Sequence, residues 1–217
     1  MSNMSNIRTD LKILVVGHSG AGKTSFVARW TKDEFKENYH PTIVSEFGFK
    51  IHESNGNLYR IQLWDIGGQD KSPTMARIFA RDSHGCVVLS DSTDLKSLED
   101  TLIWKKLVSD ETKFIDGGKL PFILVQNKID LIENREDFEK IENETKKVSQ
   151  FHNFEKYFMT SVKQNVNVEE AMTFLIEKII EKLEKYAQNG NIVFNEQKKR
   201  GTIKIRNYSS NDKNCCS

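Results

Sequence analysis

The segment with the clearest chemical potential is GHSGAGKT, Gly17–Thr24. It fits the pattern G-x-x-x-x-G-K-[ST], which binds phosphate when it follows a strand and opens a helix. Backbone N–H groups around Gly20–Gly22 would form a nest at a helix N-terminus, where the helix dipole favours anions. Lys23 would face the β- and γ-phosphates, and the Thr24 hydroxyl would be a ligand of Mg²⁺. The segment therefore predicts a nucleoside triphosphate site.

A second segment, NKID at 127–130, carries groups that can distinguish guanine from adenine. It follows the apolar run FILVQ, so it comes directly after an expected buried strand. Asp130 can accept hydrogen bonds from N1–H and the 2-amino group of guanine, which are arranged differently on adenine. Asn127 can hold both the base edge and the phosphate-binding loop, and the stem of Lys128 can cover the base face.

A third segment, TSVK at 160–163, follows the last expected strand and can complete the base site. Its Ser161 can support the neighbouring loop, and the backbone N–H of Val162 can bind the guanine O6. The three segments together predict a guanine nucleotide rather than ATP.

The bulk properties favour one soluble globular domain. The chain has 217 residues, of which 37% are hydrophobic and 29% are charged. The formal net charge of +1 gives no reason to expect a nucleic acid partner. No run of about 18 apolar residues is present, so no transmembrane helix is expected. Of the three cysteines, Cys86 is expected to be a small buried hydrophobe, and the other two are adjacent near the end of the chain.

The elements that must position these segments alternate between strands and helices. Apolar runs predict strands at 11–17, 45–53, 58–66, 86–93, 121–128 and 156–162. Helical spacing is present at 25–35, 97–110, 136–151 and 167–186. The Asn55-Gly56 pair predicts a hairpin. The pattern predicts an α/β fold whose mostly parallel sheet places ligands at the carboxyl ends of its strands.

We expect three regions along the chain. Residues 1–10 form a flexible N-terminus, and residues 11–186 form the domain. Residues 187–217 are polar and without periodicity, which predicts a disordered tail that ends in Cys-Cys-Ser.

The combined motifs resemble the Ras superfamily of small GTPases from about Lys12 to Lys185. The resemblance implies a P-loop domain with a six-stranded sheet and five helices, including one in the second switch. It also implies that Thr42 binds Mg²⁺ when GTP is present and that Phe35 packs near the base. In LWDIGGQD, 63–70, it implies that Asp65 binds the metal through water.

In the same segment the resemblance implies that the Gly68 N–H senses the γ-phosphate and that Gln69 orients the attacking water. Catalysis is expected from Gln69 and Lys23 together with Mg²⁺. Nothing in the sequence identifies an internal arginine finger, so intrinsic hydrolysis is expected to be slow without a GTPase-activating protein. The pair Ile66-Gly67 precedes the catalytic residues, and Gly67 is expected to loosen the turn before Gln69.

The branch within the superfamily is indicated by the ends of the chain. W-D-I-G-G-Q fits the Arf branch, but Ser2 excludes N-myristoylation and that branch lacks a terminal cysteine pair. The terminal NCCS resembles the Rab form, in which Cys215 and Cys216 carry geranylgeranyl groups. Two such chains give stable membrane anchoring.

Interior segments also resemble the Rab branch. TIVSEF is similar to a Rab first-switch sequence, although it departs at Val44 and Ser45. Phe47, Trp64 and Phe79 match the aromatic triad through which Rabs bind effectors. The segments around 113–131 and 158–179 look most like the Rabs of lysosome-related organelles, the melanosome Rabs. QDKS at 69–72 removes a switch-II phenylalanine, so effector identity is not transferred.

The resulting hypothesis is a Rab-like GTPase that acts as a membrane-anchored switch in vesicle and organelle trafficking. It would cycle between cytosol and the cytoplasmic face of an endosomal, lysosome-related or secretory membrane. Its expected partners are an exchange factor, a GTPase-activating protein, Rab escort protein or GDP-dissociation inhibitor, and effectors. The alternatives are an Arf-like GTPase, a guanine-nucleotide-dependent adaptor with little turnover, and a P-loop kinase or ATPase, for which NKID and TSVK would have no role. The expected nucleotide-binding residues are Ser19, Gly20, Ala21, Gly22, Lys23, Thr24, Ser25, Phe35, Thr42, Gly68, Asn127, Lys128, Asp130, Ser161, Val162 and Lys163.

Overall fold

The architecture is a single sheet with helices packed against it, seen in a computed structural model that describes residues 8–37, 46–67 and 78–188. The strands are β1 (Arg8–Gly17), β2 (Glu46–Ser54), β3 (Asn57–Asp65), β4 (Gly85–Asp91), β5 (Phe122–Asn127) and β6 (Lys156–Met159). The helices are α1 (Lys23–Lys32), α2 (Leu95–Glu111), α3 (Arg135–Phe151) and α4 (Val168–Tyr186), with a 3₁₀ turn at Ile129–Leu131. Residues 78–80 are also helical, in the predicted second-switch helix. The predicted class of six strands and five helices is confirmed.

The six strands lie in the order β2-β3-β1-β4-β5-β6. Strands β2 and β3 are antiparallel, and the other neighbouring pairs are parallel. Asn55 (φ 51°) and Gly56 (φ 74°) form the hairpin turn, as the Asn-Gly pair predicts. The carboxyl ends of the five mutually parallel strands therefore share one edge of the sheet, where ligands of open α/β sheets bind.

The core lies where apolar helix faces cover the central strands. Strand β5 is buried along its whole length, as the continuous apolar run predicts for a parallel strand covered on both faces. Helix α4 presents one apolar stripe to the sheet, formed by Val168, Ala171, Met172, Leu175, Ile176, Ile179, Ile180 and Leu183. Cys86 is fully buried, which confirms its predicted role as a core hydrophobe. In the described part of the chain, no helix combines the length and apolarity that a membrane crossing needs.

The largest differences from the predicted element boundaries, three residues each, are at three ends. Strand β1 begins at Arg8 rather than residue 11, because residues 8–10 pair with Leu58, Tyr59 and Arg60 of β3. Residues 8–10, which the sequence prediction assigns to the N-terminal region, are thus part of β1. Helix α1 ends at Lys32 rather than residue 35, since Asp33 adopts a left-handed conformation and its N–H binds the Arg29 carbonyl. Strand β6 ends at Met159, before the TSVK loop begins.

Candidate nucleotide-binding site

The phosphate-binding loop connects β1 to α1, as its motif requires. Gly20 (φ 82°) and Gly22 (φ 93°) both adopt backbone conformations that L side chains rarely reach. Gly22 caps α1, and a Cβ atom on it would lie 2.5 Å from Nδ2 of Asn127. Glycine is therefore required at position 22 for two reasons: the backbone has a positive φ, and the side chain of Asn127 leaves no room for a Cβ atom.

The side chain of Lys23 is held inside this loop. It is buried, and its Nζ donates hydrogen bonds to the carbonyl oxygens of Gly17 (3.1 Å) and His18 (2.9 Å). Burial lowers the pKa of Lys23, while the carboxylate of Asp65 acts in the opposite direction. The loop thus holds the Lys23 ammonium group against its own carbonyl oxygens, where a bound phosphate would neutralise the charge.

Thr24 and Asp65 meet beside the loop, from the start of α1 and the end of β3. The Thr24 hydroxyl donates a hydrogen bond to Oδ2 of Asp65, whose carboxylate is fully buried. Hydroxyl and carboxylate oxygens are ligands that Mg²⁺ accepts, and Mg²⁺ usually takes few protein ligands besides phosphate and water. The described residues contain no group of three or more His, Cys, Asp or Glu side chains that could hold a metal alone. This pair of oxygen donors fits Mg²⁺ bound together with a nucleotide.

Asn127 joins the base side of the site to the phosphate side. Its Nδ2 donates to the carbonyl oxygen of Ala21 at 2.9 Å, the loop contact that the sequence predicts. Its Oδ1 accepts from the Thr160 hydroxyl (3.2 Å) and from the backbone N–H of Val162 (3.1 Å). The Val162 N–H, which is expected to bind guanine O6, thus donates to a protein acceptor in this structure. Its contact with guanine O6 stays a prediction. For that contact the N–H must either bond to Asn127 and the base together or give up its bond to Asn127.

Asp130 is supported by the TSVK loop. The Ser161 hydroxyl donates to Oδ1 of Asp130 at 2.5 Å, and the same hydroxyl accepts from the Gln164 N–H at 3.0 Å. The N–H of Ile129 also donates to the Thr160 carbonyl at 3.1 Å. The supporting contact expected of Ser161 is present, and it orients the Asp130 carboxylate.

Lys128 is oriented by a partner that the sequence does not indicate. Its backbone is left-handed (φ 68°), and its Nζ lies 2.5 Å from Oδ2 of Asp91 at the end of β4. The ion pair fixes the direction of the stem that is expected to cover the base face. The sequence does not predict this role of Asp91, because its distance along the chain from the N-K-x-D segment matches no known motif.

Arg29 of α1 contacts both Phe35 and the TSVK loop. The guanidinium of Arg29 lies 6.0 Å from the centroid of the Phe35 ring, which packs against the hydrophobic core. Arg29 also donates from Nε to the Val162 carbonyl at 3.0 Å. Sequence reasoning missed Arg29, since one arginine in an amphipathic helix is indistinguishable from a solvent-facing residue.

Several predicted site residues lie outside the described ranges. They are Thr42, Gly68, Gln69, Cys215 and Cys216. Ser19 and Ser25 are described and partly buried, in the phosphate-binding loop and the first turn of α1 respectively. Lys163 is described too, and its Nζ pairs with Oε1 of Glu37 at 3.0 Å.

The predicted aromatic triad does assemble on the sheet surface. Phe47 of β2 and Trp64 of β3 are paired residues with ring centroids 5.4 Å apart in an edge arrangement. Phe79 lies 6.1 Å from Trp64. Nζ of Lys12 lies 4.9 Å above the Trp64 ring and donates to the Arg81 carbonyl at 2.8 Å. The three rings are neighbours on one face of the sheet, where Phe47 is half-exposed and Trp64 and Phe79 are partly buried.

A phosphate-binding loop between β1 and α1, with Asn127 and the TSVK loop packed beside it, is the arrangement typical of a small GTPase. The Ras family model matches residues 12–181, and the chain belongs to the Ras family.

Three relatives narrow the branch. The chain is 31% identical to the Ras-related protein Rab-32 of Homo sapiens over 206 residues, which cover 94% of this chain and 88% of that protein. It is 35% identical to human Ras-related protein Rab-7L1 over 170 residues, 78% of this chain and 82% of that protein. It is 32% identical to the Ras-related protein Rab-32C of Dictyostelium discoideum over 206 residues, which cover 95% of this chain and 88% of that protein.

The chain is a Rab-like small GTPase of trafficking, and it hydrolyses GTP. The predicted likeness to the lysosome-related-organelle Rabs is confirmed by these relatives, and the Arf-like, adaptor and kinase alternatives are not favoured. The family implies binding of GTP, GDP and Mg²⁺. It also implies exchange factors, GTPase-activating proteins and effectors that bind the switch regions.

Proposed function

We propose that each predicted site residue acts as its motif implies, in a switch that is anchored to a membrane by its C-terminal lipids. The observation that carries the nucleotide roles is the meeting of Lys23, Thr24 and Asp65 at the carboxyl edge of the sheet. The phosphates would be held by the loop backbone, by Ser19 and Ser25, and by the Lys23 ammonium. Thr24, Thr42 and Asp65 would hold Mg²⁺, which neutralises phosphate charge when bound.

The base would be read by the two loops at the ends of β5 and β6. Asp130 accepts from the Watson–Crick edge, Asn127 fixes the loops to each other, and the Lys128 stem covers one face of the ring. Val162, Lys163 and Phe35 complete the pocket. The support that Ser161 gives Asp130 favours this assignment, since an oriented carboxylate loses less freedom on binding.

In the GTP-bound form the Gly68 N–H would meet the γ-phosphate, and Gln69 would orient the attacking water. Phosphoryl transfer depends mainly on positioning and charge neutralisation, which Lys23 and Gln69 share here. A GTPase-activating protein would supply the remaining stabilisation, several orders of magnitude in rate.

The membrane form would be reached through geranylgeranyl groups on Cys215 and Cys216. Rab escort protein would present the chain for prenylation, and GDP-dissociation inhibitor would carry the GDP form through the cytosol. The GTP form would bind effectors through Phe47, Trp64 and Phe79 on the face of an endosomal, lysosome-related or secretory membrane. The contiguity of these rings on one face of the sheet supports that effector role.

A nucleotide experiment tests the site. Purified protein should contain guanine nucleotide and should prefer GTP over ATP by several orders of magnitude. Thr24→Asn should weaken GTP binding at millimolar Mg²⁺ while GDP is retained, and Thr24→Ser, which keeps the hydroxyl, should behave as wild type. Equal affinity for ATP and GTP, or unchanged GTP affinity in Thr24→Asn, would contradict the proposal.

A second experiment tests the anchor. Replacement of both Cys215 and Cys216 by Ser should leave nucleotide binding intact and move the protein from membranes to cytosol. The single variants, followed by mass spectrometry of the C-terminal peptide, show whether one or both cysteines carry lipid. Membrane residence of the double variant would exclude this anchor.

A further inference from the structure

The guanidinium of Arg29 donates hydrogen bonds to three residues in two segments of the chain, the TSVK loop and the end of α1. Its Nε donates to the carbonyl oxygen of Val162 at 3.0 Å, and its second terminal nitrogen donates to the carbonyl of Lys163 at 3.3 Å. Its first terminal nitrogen donates to both the backbone oxygen (3.0 Å) and the Oδ1 (2.9 Å) of Asp33. The planar fork of a guanidinium is suited to such divergent bonds, and a lysine ammonium could not make all of them with the same geometry.

The contacts around Arg29 tie the end of α1 to the TSVK loop. Asp33 caps α1 and also accepts from Nδ2 of Asn165 at 3.3 Å, so its carboxylate joins the same network. The pair between Lys163 and Glu37 adds a second bridge over this seam at 3.0 Å. The TSVK loop is therefore bonded to α1 through Arg29, and it is also bonded to the NKID segment through Asn127 and Ser161.

Burial makes the bonds of Arg29 different from those of an ordinary surface arginine. Only 14% of its side chain is exposed, whereas 77% of the side chain of its ion-pair partner Asp33 is exposed. An exposed ion pair contributes little, while a partly buried hydrogen bond from a charged donor, such as the one to the Val162 carbonyl, contributes more. The bonds of Arg29 to the loop carbonyls should therefore outweigh its bond to the Asp33 carboxylate.

We propose that Arg29 is a positioning residue for guanine, which holds the TSVK loop so that Ser161 keeps Asp130 aimed at the base. The inference rests on the base site proposed above, and it deepens that site by adding a residue that does not touch the base. Loss of the Arg29 bonds would let residues 160–163 move away from α1. Asp130 would then lose its fixed direction, and the 2-amino group of guanine would be recognised less well.

The test measures dissociation of GDP and of inosine diphosphate, which lacks the 2-amino group, at saturating Mg²⁺. Wild type should release inosine diphosphate faster than GDP. Arg29→Ala should release GDP about tenfold faster, the change expected when hydrogen bonds from a charged donor are lost. The ratio of the two dissociation rates should fall toward one, since the preference for the 2-amino group is reduced.

Three further variants isolate the cause. Arg29→Lys keeps the charge and most of the stem, so it should fold normally and still release GDP several-fold faster. Asp33→Asn removes the ion pair alone and should change the rate less than about threefold. Arg135→Ala removes an arginine with the same i,i+4 pairing to an acid, at 92% exposure, and should match wild type.

The outcomes separate a failure of the Arg29 positioning role from a failure of the proposed guanine site. A wild-type protein that releases both nucleotides equally fast would contradict the proposed role of Asp130. If wild type discriminates but the Arg29 variants keep wild-type rates, the positioning role is wrong. If those variants release both nucleotides faster by the same factor, Arg29 is a structural residue only, and the positioning role is again wrong.

Discussion

The side-chain amide of Asn127 donates a hydrogen bond to the carbonyl oxygen of Ala21 at 2.9 Å, across a sequence separation of 106 residues. One buried amide thus joins the loop that is proposed to hold the base to the loop that is proposed to hold the phosphates. A movement of either loop is transmitted to the other, because this amide has two further bonds to the TSVK loop. We therefore expect the two ends of a bound nucleotide to contact one rigid unit.

Asn127→Ala should weaken GDP and GTP binding about equally, by roughly ten- to a hundredfold. The variant removes three hydrogen bonds and leaves buried partners unsatisfied. Nucleotide dissociation rates measure the effect. Asn57→Ala, an exposed asparagine at the start of β3, is the control and should keep wild-type rates. A change confined to GTP would contradict the idea of one rigid unit.

Gly17→Ala should destabilise the domain by about 3 kcal/mol. A Cβ atom at Gly17 would lie 2.1 Å from the carbonyl oxygen of Leu89, so β1 and β4 would have to separate. Gly117 also has positive φ (78°) but has no atom within 4 Å of such a Cβ, so Gly117→Ala should cost only about 1 kcal/mol. Urea unfolding at saturating GDP and Mg²⁺ compares the two. Equal losses would mean that the clash at Gly17 is relieved by a small shift.

Folding stability should fall in acid partly through His84. Burial lowers the pKa of His84 to about 4, and the charge of Lys12 acts in the same direction, against the opposing charges of Asp82 and Asp10. The Nδ1 of His84 accepts a hydrogen bond from the Lys12 N–H at 3.1 Å, which only the neutral ring can do. The unfolded chain takes up a proton near pH 6.5, and the folded chain does so only near pH 4. The stability contributed by neutral His84 is therefore full above pH 6.5 and is lost as the pH falls from 6.5 toward 4, by about 2–3 kcal/mol.

His84→Asn, which keeps an acceptor for the Lys12 N–H, should flatten the stability profile between pH 6.5 and 4. Denaturant midpoints at half-unit pH intervals provide the measurement. His152→Asn, at an exposed position, should leave the slope as in wild type. A wild-type slope in His84→Asn would show that carboxylates alone cause the acid loss.

Hydrolysis should depend on the unusual pair before Gln69. Ile66 is only 3% exposed, and its N–H donates to the Val15 carbonyl at 3.1 Å, so the first member of the pair is fixed in the core. Gly67 follows it, and a glycine restricts the backbone less than an alanine would. In single-turnover assays Gln69→Leu should slow hydrolysis at least about tenfold, and Gly67→Ala should speed it a few-fold by restricting the link. A slower Gly67→Ala variant would mean that this flexibility is required.

The sequence predicts the sheet and the site motifs well because both follow from local patterns. Continuous apolar runs mark β4 and β5, and the phosphate-binding motif fixes where β1 must end and α1 begin. What it does not predict are contacts between distant side chains. Arg29 with Val162, and Lys128 with Asp91, meet only after the chain has folded, and no spacing in the sequence encodes either pair.

The start of β1 was placed too late for a related reason. Residues 8–10 are polar, and they are recruited into the sheet by a neighbour rather than by their own apolar character. The guanidinium of Arg60 on β3 donates two bonds to the Asp10 carboxylate, at 2.7 and 2.6 Å. Cross-strand pairs of this kind extend a sheet beyond its apolar region.

The chain has three tryptophans, and their surroundings differ in a way that gives the protein a natural optical reporter. Trp30 and Trp104 are buried in the core, whereas Trp64 is partly exposed at the centre of the aromatic triad, beneath the Lys12 ammonium. A soluble quencher such as iodide should therefore quench the fluorescence of Trp64 and leave that of Trp30 and Trp104 unchanged. A docked effector would shield that same indole, so complex formation could be followed by intrinsic fluorescence without any attached dye.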